Sequence, residues 1–364
     1  MKHYRVGIVG CGRMGGLIDD EVVDSGEQWW DYRPISHAPA YAAIEKTDLV
    51  AIADNNNEKL QNFSTRYPVE PNHRYADYRE MIEREQLDIL SVTTPSTVHA
   101  ETTVFAAENG VKGIYCEKGM ACSMEEADAM RDACRRNNVP FNLGTSRRYH
   151  PGMQAMRRVI DKGEIGPLQT LIHKGWGGLL LHSASHTFDT ILYLLDDPEI
   201  EYVQGELRTM EHENGTVSAT NYSAEENCFM GNTLYESDPG FDHARIVFRN
   251  GISAHHVRVG PCYEFEAIGT IGSVAFNHYN KGWIQPAIKD GSTDRIPFPS
   301  FQPRSFTINI IRDLIQSIEC GSLGHLEASH QAMEISMAVA QSHIENGRCI
   351  PFPISNRTLK VPNY

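Results

Sequence analysis

This sequence has no basic surplus, no long apolar run and no cysteine cluster, and each absence excludes a class of function. Lys and Arg together number 33 against 47 Asp and Glu, a formal charge of −14 at pH 7. Binding a phosphate backbone needs clustered cations on a net basic face, so nucleic acid is not an expected partner. No stretch approaches the ~18 consecutive apolar residues of a membrane span, so no membrane partner is expected either. Met1 to Gly10 runs into a strand and a glycine turn without the basic, apolar and small-residue sections of an export signal, and the expected location is cytoplasmic. The eight cysteines are dispersed, with no C-x-x-C pair and no thiol-imidazole group at zinc spacing. Reduced thiols and no metal site are the expectation. Internal repeats and low-complexity segments are also missing.

What is present is alternation. At 364 residues the chain suits two domains, at ~150 residues each. In the N-terminal part, short apolar or β-branched runs alternate with helical spacing, the pattern of a parallel sheet flanked by helices. The predicted strands are Tyr4 to Val9, Leu49 to Ala53, Ile89 to Thr93, Gly113 to Cys116 and Phe141 to Leu143. Helices are predicted over His37 to Ile44, Asp77 to Glu85, Ala100 to Asn109 and Ser123 to Asn137, where Ser123 and Glu126 fit a capping box. Asp19 to Ser36, with Trp29, Trp30, Tyr32 and Arg33, reads as an inserted loop leaving from beside the glycine turn. It is either a surface excursion pinned by its aromatics or a wall of the cofactor or substrate site. After Pro151 the β-type runs lengthen: Leu168 to Lys174, Ala244 to Phe248, Ser253 to Val259, Glu264 to Gly269 and Ser273 to Phe276. They suggest a largely antiparallel sheet, punctuated by helices at Ser185 to Leu195, Phe306 to Glu319 and Leu326 to Glu345.

The glycine turn carries the first chemistry. Gly10-Cys11-Gly12-Arg13-Met14-Gly15 places G-x-G-x-x-G directly after the first strand. Gly10 permits a tight turn, Gly12 lets backbone approach a pyrophosphate, and Gly15 allows close helix-strand packing, while the helix N-terminus offers unpaired N–H donors. The acidic partner, usually ~20 residues on, is delayed by the insertion to Asp54 at the end of the next strand. A carboxylate there accepts from ribose hydroxyls and repels a 2′-phosphate, favouring NAD over NADP; the other reading is a turn residue within Asp-Asn-Asn-Asn. The expectation is an α/β chain with a Rossmann NAD-binding domain over 1–150 and a second α/β domain over 151–364 with a largely antiparallel open sheet.

Two further motifs complete the pattern: Tyr115-Cys116-Glu117-Lys118-Gly119 after the fifth strand, and Gly177 to Asp189 with His182-x-x-x-His186. Together with Thr93-Thr94-Pro95 and Ile268 to Ser273, they resemble the glucose-fructose oxidoreductase / inositol dehydrogenase / MocA family from Tyr4 to about Pro353. The resemblance implies an NAD-dependent oxidoreductase whose second domain binds substrate and mediates homodimer or homotetramer formation through its open sheet. It implies cofactor contacts from Gly10, Gly12, Arg13, Met14, Gly15, Asp54, Thr94, Pro95, His99, Glu117 and Lys118. The family's usual Glu-Lys-Pro stands here as Glu117-Lys118-Gly119, which puts the loop geometry in question. Lys118 would touch the nicotinamide ribose and the reacting hydroxyl, where an ammonium stabilises developing alkoxide charge.

The family's acid/base histidine corresponds to His186, with His182 standing where many members have aspartate. If both start a helix, their spacing puts them on one face, and the dipole favours neutral imidazole. His182 then orients substrate or acts as a second acid/base, and Asp189 orients His186 or caps local structure. Arg147, Arg148, Tyr149 and His150, with Lys174 and Trp176, could form an anion-and-sugar pocket, although solvated cations and a buried Trp fit as well. The leading expectation is oxidation of a secondary hydroxyl of a sugar, sugar derivative or polyol by hydride transfer. Its rival is an NAD-dependent glycosidase working by transient ring oxidation, elimination and water addition on an acidic glycoside such as a sulfoquinovoside or uronide. A third is a regulatory module that kept the fold and lost the chemistry.

Overall fold

The structure is a computed structural model and describes residues 3–23, 32–212, 215–217, 221–231, 237–260, 262–277, 281–285 and 294–363. Two compact units divide the chain: Met1–Ser146 with Pro303–His330, and Arg147–Gln302 with Gln331–Tyr364. The division expected at residue 150 differs from this in two respects, because the boundary falls after Ser146 and residues 303–330 return to the first unit. The reason is apolar burial. Helix Phe306–Cys320 hides Ile310, Ile311, Leu314 and Ile315, and Ile318 lies against Gly113 of the first unit's sheet.

In the first unit, β1 (Tyr4–Val9), β2 (Thr47–Ala53), β3 (Arg74–Tyr75), β4 (Ile89–Val92), β5 (Gly113–Cys116) and β6 (Phe141–Leu143) form a parallel sheet in the order β3-β2-β1-β4-β5-β6. Strands β4, β5 and β6 are buried at every position, which explains their short, mostly apolar runs. Helices α1 (Ile18–Val23), α2 (His37–Ala42), α3 (Asn57–Arg66), α4 (Tyr78–Glu85), α5 (His99–Glu108) and α6 (Met124–Asn137) connect them. The predicted capping box forms in part: Ser123 Oγ accepts from Glu126 N–H at 3.2 Å, while the Glu126 carboxylate accepts from the N–H of Cys122, one residue before the cap, at 2.8 Å. Strand order reverses between β1 and β4, so the loops leaving their carboxyl ends flank the crevice where such sheets hold ligands. Of the insertion, Trp29 and Trp30 lie outside the described residues. Its exit is tied down, because the Asp19 carboxylate accepts from the N–H groups of Ile35 and Ser36 at 2.8 and 2.9 Å.

The second unit begins with α7 (Pro151–Asp161), β7 (Leu168–Gly175), α8 (Ala184–Leu195) and β8 (Ile200–Arg208). Short pairs follow, β9 (Met210–His212) with β10 (Gly215–Val217) and β11 (Tyr222–Ser223) with β12 (Cys228–Phe229). Then come β13 (Gly240–Phe248), β14 (Ser253–Arg258), β15 (Tyr263–Gly269), β16 (Ser273–Asn277), β17 (Gly282–Gln285), β18 (Ile296–Pro297) and β19 (Ile350–Pro351). The main sheet runs β18-β17-β16-β15-β7-β14-β13-β8-β19 and is antiparallel throughout except at β7–β14. Period-two alternation sorts its faces: Leu171 and His173 of β7 are buried, while Ile172 and Lys174 point the other way. Helix α7 closes on the buried face so tightly that Gly152 meets the Phe276 ring. Among the described residues, no helix is long and apolar enough to cross a membrane.

Candidate functional site

The three glycines of the turn behave differently, as their expected roles require. Gly10 sits at φ +99, a conformation that favours glycine, and donates its N–H to Ala53 O at 2.8 Å. At Gly12 a Cβ would meet nothing within 4 Å, so the backbone there faces open space. At Gly15 a Cβ would press into the Gly10 carbonyl oxygen, so only glycine permits the close approach. A single π-type turn over Arg13–Leu17 leads into α1, and no side chain caps Gly12. Those donors and the open approach fit the pyrophosphate of a dinucleotide. Asp54 follows β2 and holds the turn itself: its carboxylate accepts from Cys11 N–H at 2.8 Å and from Asn56 N–H at 2.9 Å. Asp54 is thus a turn residue, and each of its carboxylate oxygens keeps a further lone pair. Arg13 is exposed and paired with Glu21 at 2.7 Å, while Met14 is half-buried.

The loops after β4 and β5 are pinned together by a residue whose role differs from the expected cofactor contact. His99 is fully buried, and its ring nitrogens meet Thr94 O at 2.8 Å and Gly119 O at 2.9 Å. It bridges the Thr94-Pro95 loop to the Lys118 loop. Burial pushes its pKa below the ordinary imidazole range, against the two carbonyls that favour the protonated ring. Thr93 ties the same region to the glycine turn through Oγ1, which donates to Gly10 O at 2.7 Å. The Lys118–Gly119 peptide is cis although proline is absent. Glu117 is buried and receives a hydrogen bond from His37 Nε2 at 3.1 Å.

In the second unit His182 and His186 are both half-buried, but only His186 is helical. Helix α8 starts at Ala184, so His186 lies in its first turn and His182 precedes the cap residue Ser183. The expected shared helical face is corrected accordingly. The turn carrying His182 is held by Asp238, a fully buried carboxylate that sequence reasoning missed. It accepts from Leu181 N–H at 2.9 Å, His182 N–H at 2.8 Å and Asn363 Nδ2 at 3.1 Å. No local signal marked it, because its partners lie far along the chain.

Four expected substrate contacts are corrected by their partners. Asp189 and Arg148 form a buried bidentate pair at 2.6–3.1 Å, so Asp189 serves Arg148 and not His186. His150 caps α7, accepting from Gly152 N–H at 3.0 Å, and burial pushes its pKa down to about 3, with the Arg147 charge acting the same way. Lys174 is paired with Glu264 and Glu266 on the neighbouring strand at 3.2 and 2.7 Å. Tyr149 is buried. A tighter cluster remains: the Arg147 guanidinium lies 5.4 Å from the Tyr263 ring centroid, and Tyr263 is 5.7 Å from Trp176, which is 42% exposed. Tyr263 was not anticipated, because it reaches Arg147 and Trp176 only through the register of β15 on β7.

A doubly wound parallel sheet, a glycine turn open at Gly12 and a carboxylate after the second strand define a dinucleotide-binding Rossmann protein. Residues 4–145 match the model of the Gfo/Idh/MocA family, described as an oxidoreductase family with an NAD-binding Rossmann fold. The scyllo-inositol 2-dehydrogenase (NAD(+)) of Bacillus subtilis (strain 168) is 28% identical over 324 residues, covering 84% of this chain and 82% of that one. The D-apiose dehydrogenase of Paraburkholderia graminis is 31% identical over 194 residues, 53% of this chain, and less than half of that relative, 44%, is spanned. A solved levoglucosan dehydrogenase, in complex with NADH and levoglucosan, superposes with a TM-score of 0.72 at 20% identity over 97% of this chain and 100% of its own, which establishes a shared fold.

Proposed function

We propose that the protein is an NAD-dependent oxidoreductase acting on a secondary hydroxyl of a sugar, sugar derivative or polyol. The observation that carries the reading is the glycine turn, with Gly12 open, Gly15 packed on Gly10 and Asp54 beside it. Relatives named for inositol, apiose and levoglucosan support the substrate class. Gly10, Gly12, Gly15 and Asp54 would hold NAD, which when bound supplies a two-electron hydride acceptor. In this reading the His186 imidazole takes the hydroxyl proton and the Lys118 ammonium stabilises the negative charge growing on the oxygen. Arg147, Tyr263 and Trp176 offer a cation and two aromatic faces to a sugar carrying an acidic group. The reading takes the enzyme to be a cytoplasmic homodimer or homotetramer. It is tested with purified protein, NAD and a panel of free sugars, polyols and acidic aryl glycosides, following NADH by its absorbance. Accumulating NADH with a free sugar or polyol is expected, and its loss in Lys118→Ala and His186→Ala supports the roles. Aglycone release without accumulating NADH would replace this reading with the glycosidase, which has lost His150 as an acid because that ring caps α7.

A further inference from the structure

A chain of buried polar groups crosses the first unit and ends beside Lys118. The Tyr41 hydroxyl meets Ser91 Oγ at 2.8 Å, Ser91 Oγ meets His37 Nδ1 at 2.9 Å, and His37 Nε2 meets Glu117 Oε1 at 3.1 Å. Tyr41, Ser91 and His37 are fully buried, and Glu117 is 5% exposed. They come from α2, β4 and the loop after β5, so packing alone would be satisfied by apolar side chains, and burying four polar groups costs free energy that such a core would not incur.

The chain has one consistent direction for a neutral ring. An ionised Glu117 only accepts, so His37 Nε2–H donates to it. Nδ1 then accepts from the Ser91 hydroxyl, whose oxygen accepts in turn from Tyr41 O–H. His37 itself is fixed twice. Its ring stacks on Tyr115 at 4.0 Å, and the residues just before it, Ile35 and Ser36, are held by Asp19 of α1, the helix that follows the glycine turn. The insertion therefore ends by delivering His37 to Glu117. Gly144 leaves the carboxylate its room, since a Cβ there would come within 2.7 Å of Glu117 Oε1.

We propose that Tyr41, Ser91 and His37 are positioning residues for Lys118, acting through Glu117: they orient that carboxylate so that its negative charge stands beside the ammonium. The functional role of this rests on the reading of Lys118 given above. The charged and titratable groups around Glu117 are His37 from α2, His99 from α5, and Cys116 and Lys118 on its own strand and loop. Burial works to raise the Glu117 pKa, but the His37 hydrogen bond and the Lys118 charge outweigh it and hold the carboxyl below its ordinary range. Without the Nε2 donor a buried carboxylate has to take up a proton or turn away, and Lys118 loses its neighbouring charge.

The test uses the full chain without cofactor. Lys118 is labelled with acetic anhydride across a pH series and read by peptide mass spectrometry, in the wild type, His37→Phe, His37→Gln and Tyr41→Phe. Phe keeps the stack on Tyr115 and removes both ring nitrogens, whereas Gln keeps a donor at the Nε2 position. The expected result is a labelling midpoint lower by about half a pH unit or more in His37→Phe, recovered in His37→Gln, with Tyr41→Phe shifting the same way by less. Where sugar oxidation is measurable, kcat should fall about tenfold in His37→Phe and return in His37→Gln. An unchanged midpoint in His37→Phe, or an equal shift in the Phe and Gln variants, overturns the proposal. Should His37→Phe not fold by circular dichroism, Ser91→Ala decides by the same criterion of a lowered or unchanged midpoint. A wild type that oxidises no sugar sinks the functional reading alone, because the labelling midpoint is read without substrate or cofactor.

Discussion

Gly12 and Gly15 stand three residues apart and should respond oppositely to one methyl group. Open space surrounds Gly12, so Gly12→Ala should melt within about 2 °C of the wild type while NADH binding weakens at least about tenfold, about 1.4 kcal/mol, because the methyl occupies the pyrophosphate approach. Gly15→Ala drives a methyl into the Gly10 carbonyl and should lower stability by about 1–3 kcal/mol. Thermal melts and fluorescence titration separate the two, and a Gly12→Ala protein that binds NADH like the wild type would remove the turn from the cofactor site. The steric demands at these glycines were legible because backbone sterics are local. Lys174 was not: the same residue type that suits an anion pocket is neutralised by Glu264 and Glu266, and only the register of β7 against β15 brings them together. The Arg148–Asp189 pair was hidden for the same reason, and deleting one member would strand a buried charge, a change that typically costs about 3–5 kcal/mol.

At the scale of elements, the adjacent strands β7 and β14 place His173 opposite His256, joined Nδ1 to Nδ1 at 2.8 Å and stacked on Phe265 and Phe241. Burial pushes the His256 pKa down to about 3 and that of His173 well down, with His256 and Arg147 adding to the effect on His173. The unfolded chain takes up these protons near pH 6.5. Folded pKa values below the unfolded one mean full stability above about 6.5 and progressive loss as pH falls from there toward 3. Thermal midpoints should therefore decline over that window, and the decline should be shallower in His256→Asn, which keeps a partner for His173 Nδ1. Identical pH slopes in variant and wild type would show that the pair does not govern acid stability. The sequence reveals β7 and β14 as strands through apolar alternation, but it carries no mark of their parallel pairing. Helix α3 escaped prediction although Asn56 caps it by accepting from Glu58 and Lys59 N–H, because its apolar stripe is sparse.

For the whole molecule, the returning segment decides what folds. Helix Phe306–Cys320 buries Ile310, Ile311, Leu314 and Ile315, at about 1.5–3 kcal/mol each, a sum comparable with the entire ~5–15 kcal/mol stability of a domain. The first unit also uses the segment for polar closure: Asn142 donates to Ile310 O at 3.2 Å, and Phe141 N–H donates to Leu323 O at 3.1 Å. Residues 1–150 expressed alone should lack a cooperative melt and bind no NADH, and linking 303–330 to them should restore both. Calorimetry and NADH titration check this; a stable, NADH-binding 1–150 fragment would make the return segment dispensable.

What the sequence by itself determined was whatever short-range physics writes into neighbouring residues. The glycine pattern implied the turn, apolar runs implied β1, β4, β5 and β6, Ser123 with Glu126 implied a cap, and ordered motifs around Lys118 and His186 implied the family. Tertiary structure alone decided which partners the buried polar groups have: Asp238 under the His182 turn, His37 on Glu117, Asp189 on Arg148, and residues 303–330 on the first sheet. A steric demand or a hydrophobic period is satisfied within one element, whereas a buried charge or donor must be met by whatever the completed fold brings beside it, often from more than forty residues away.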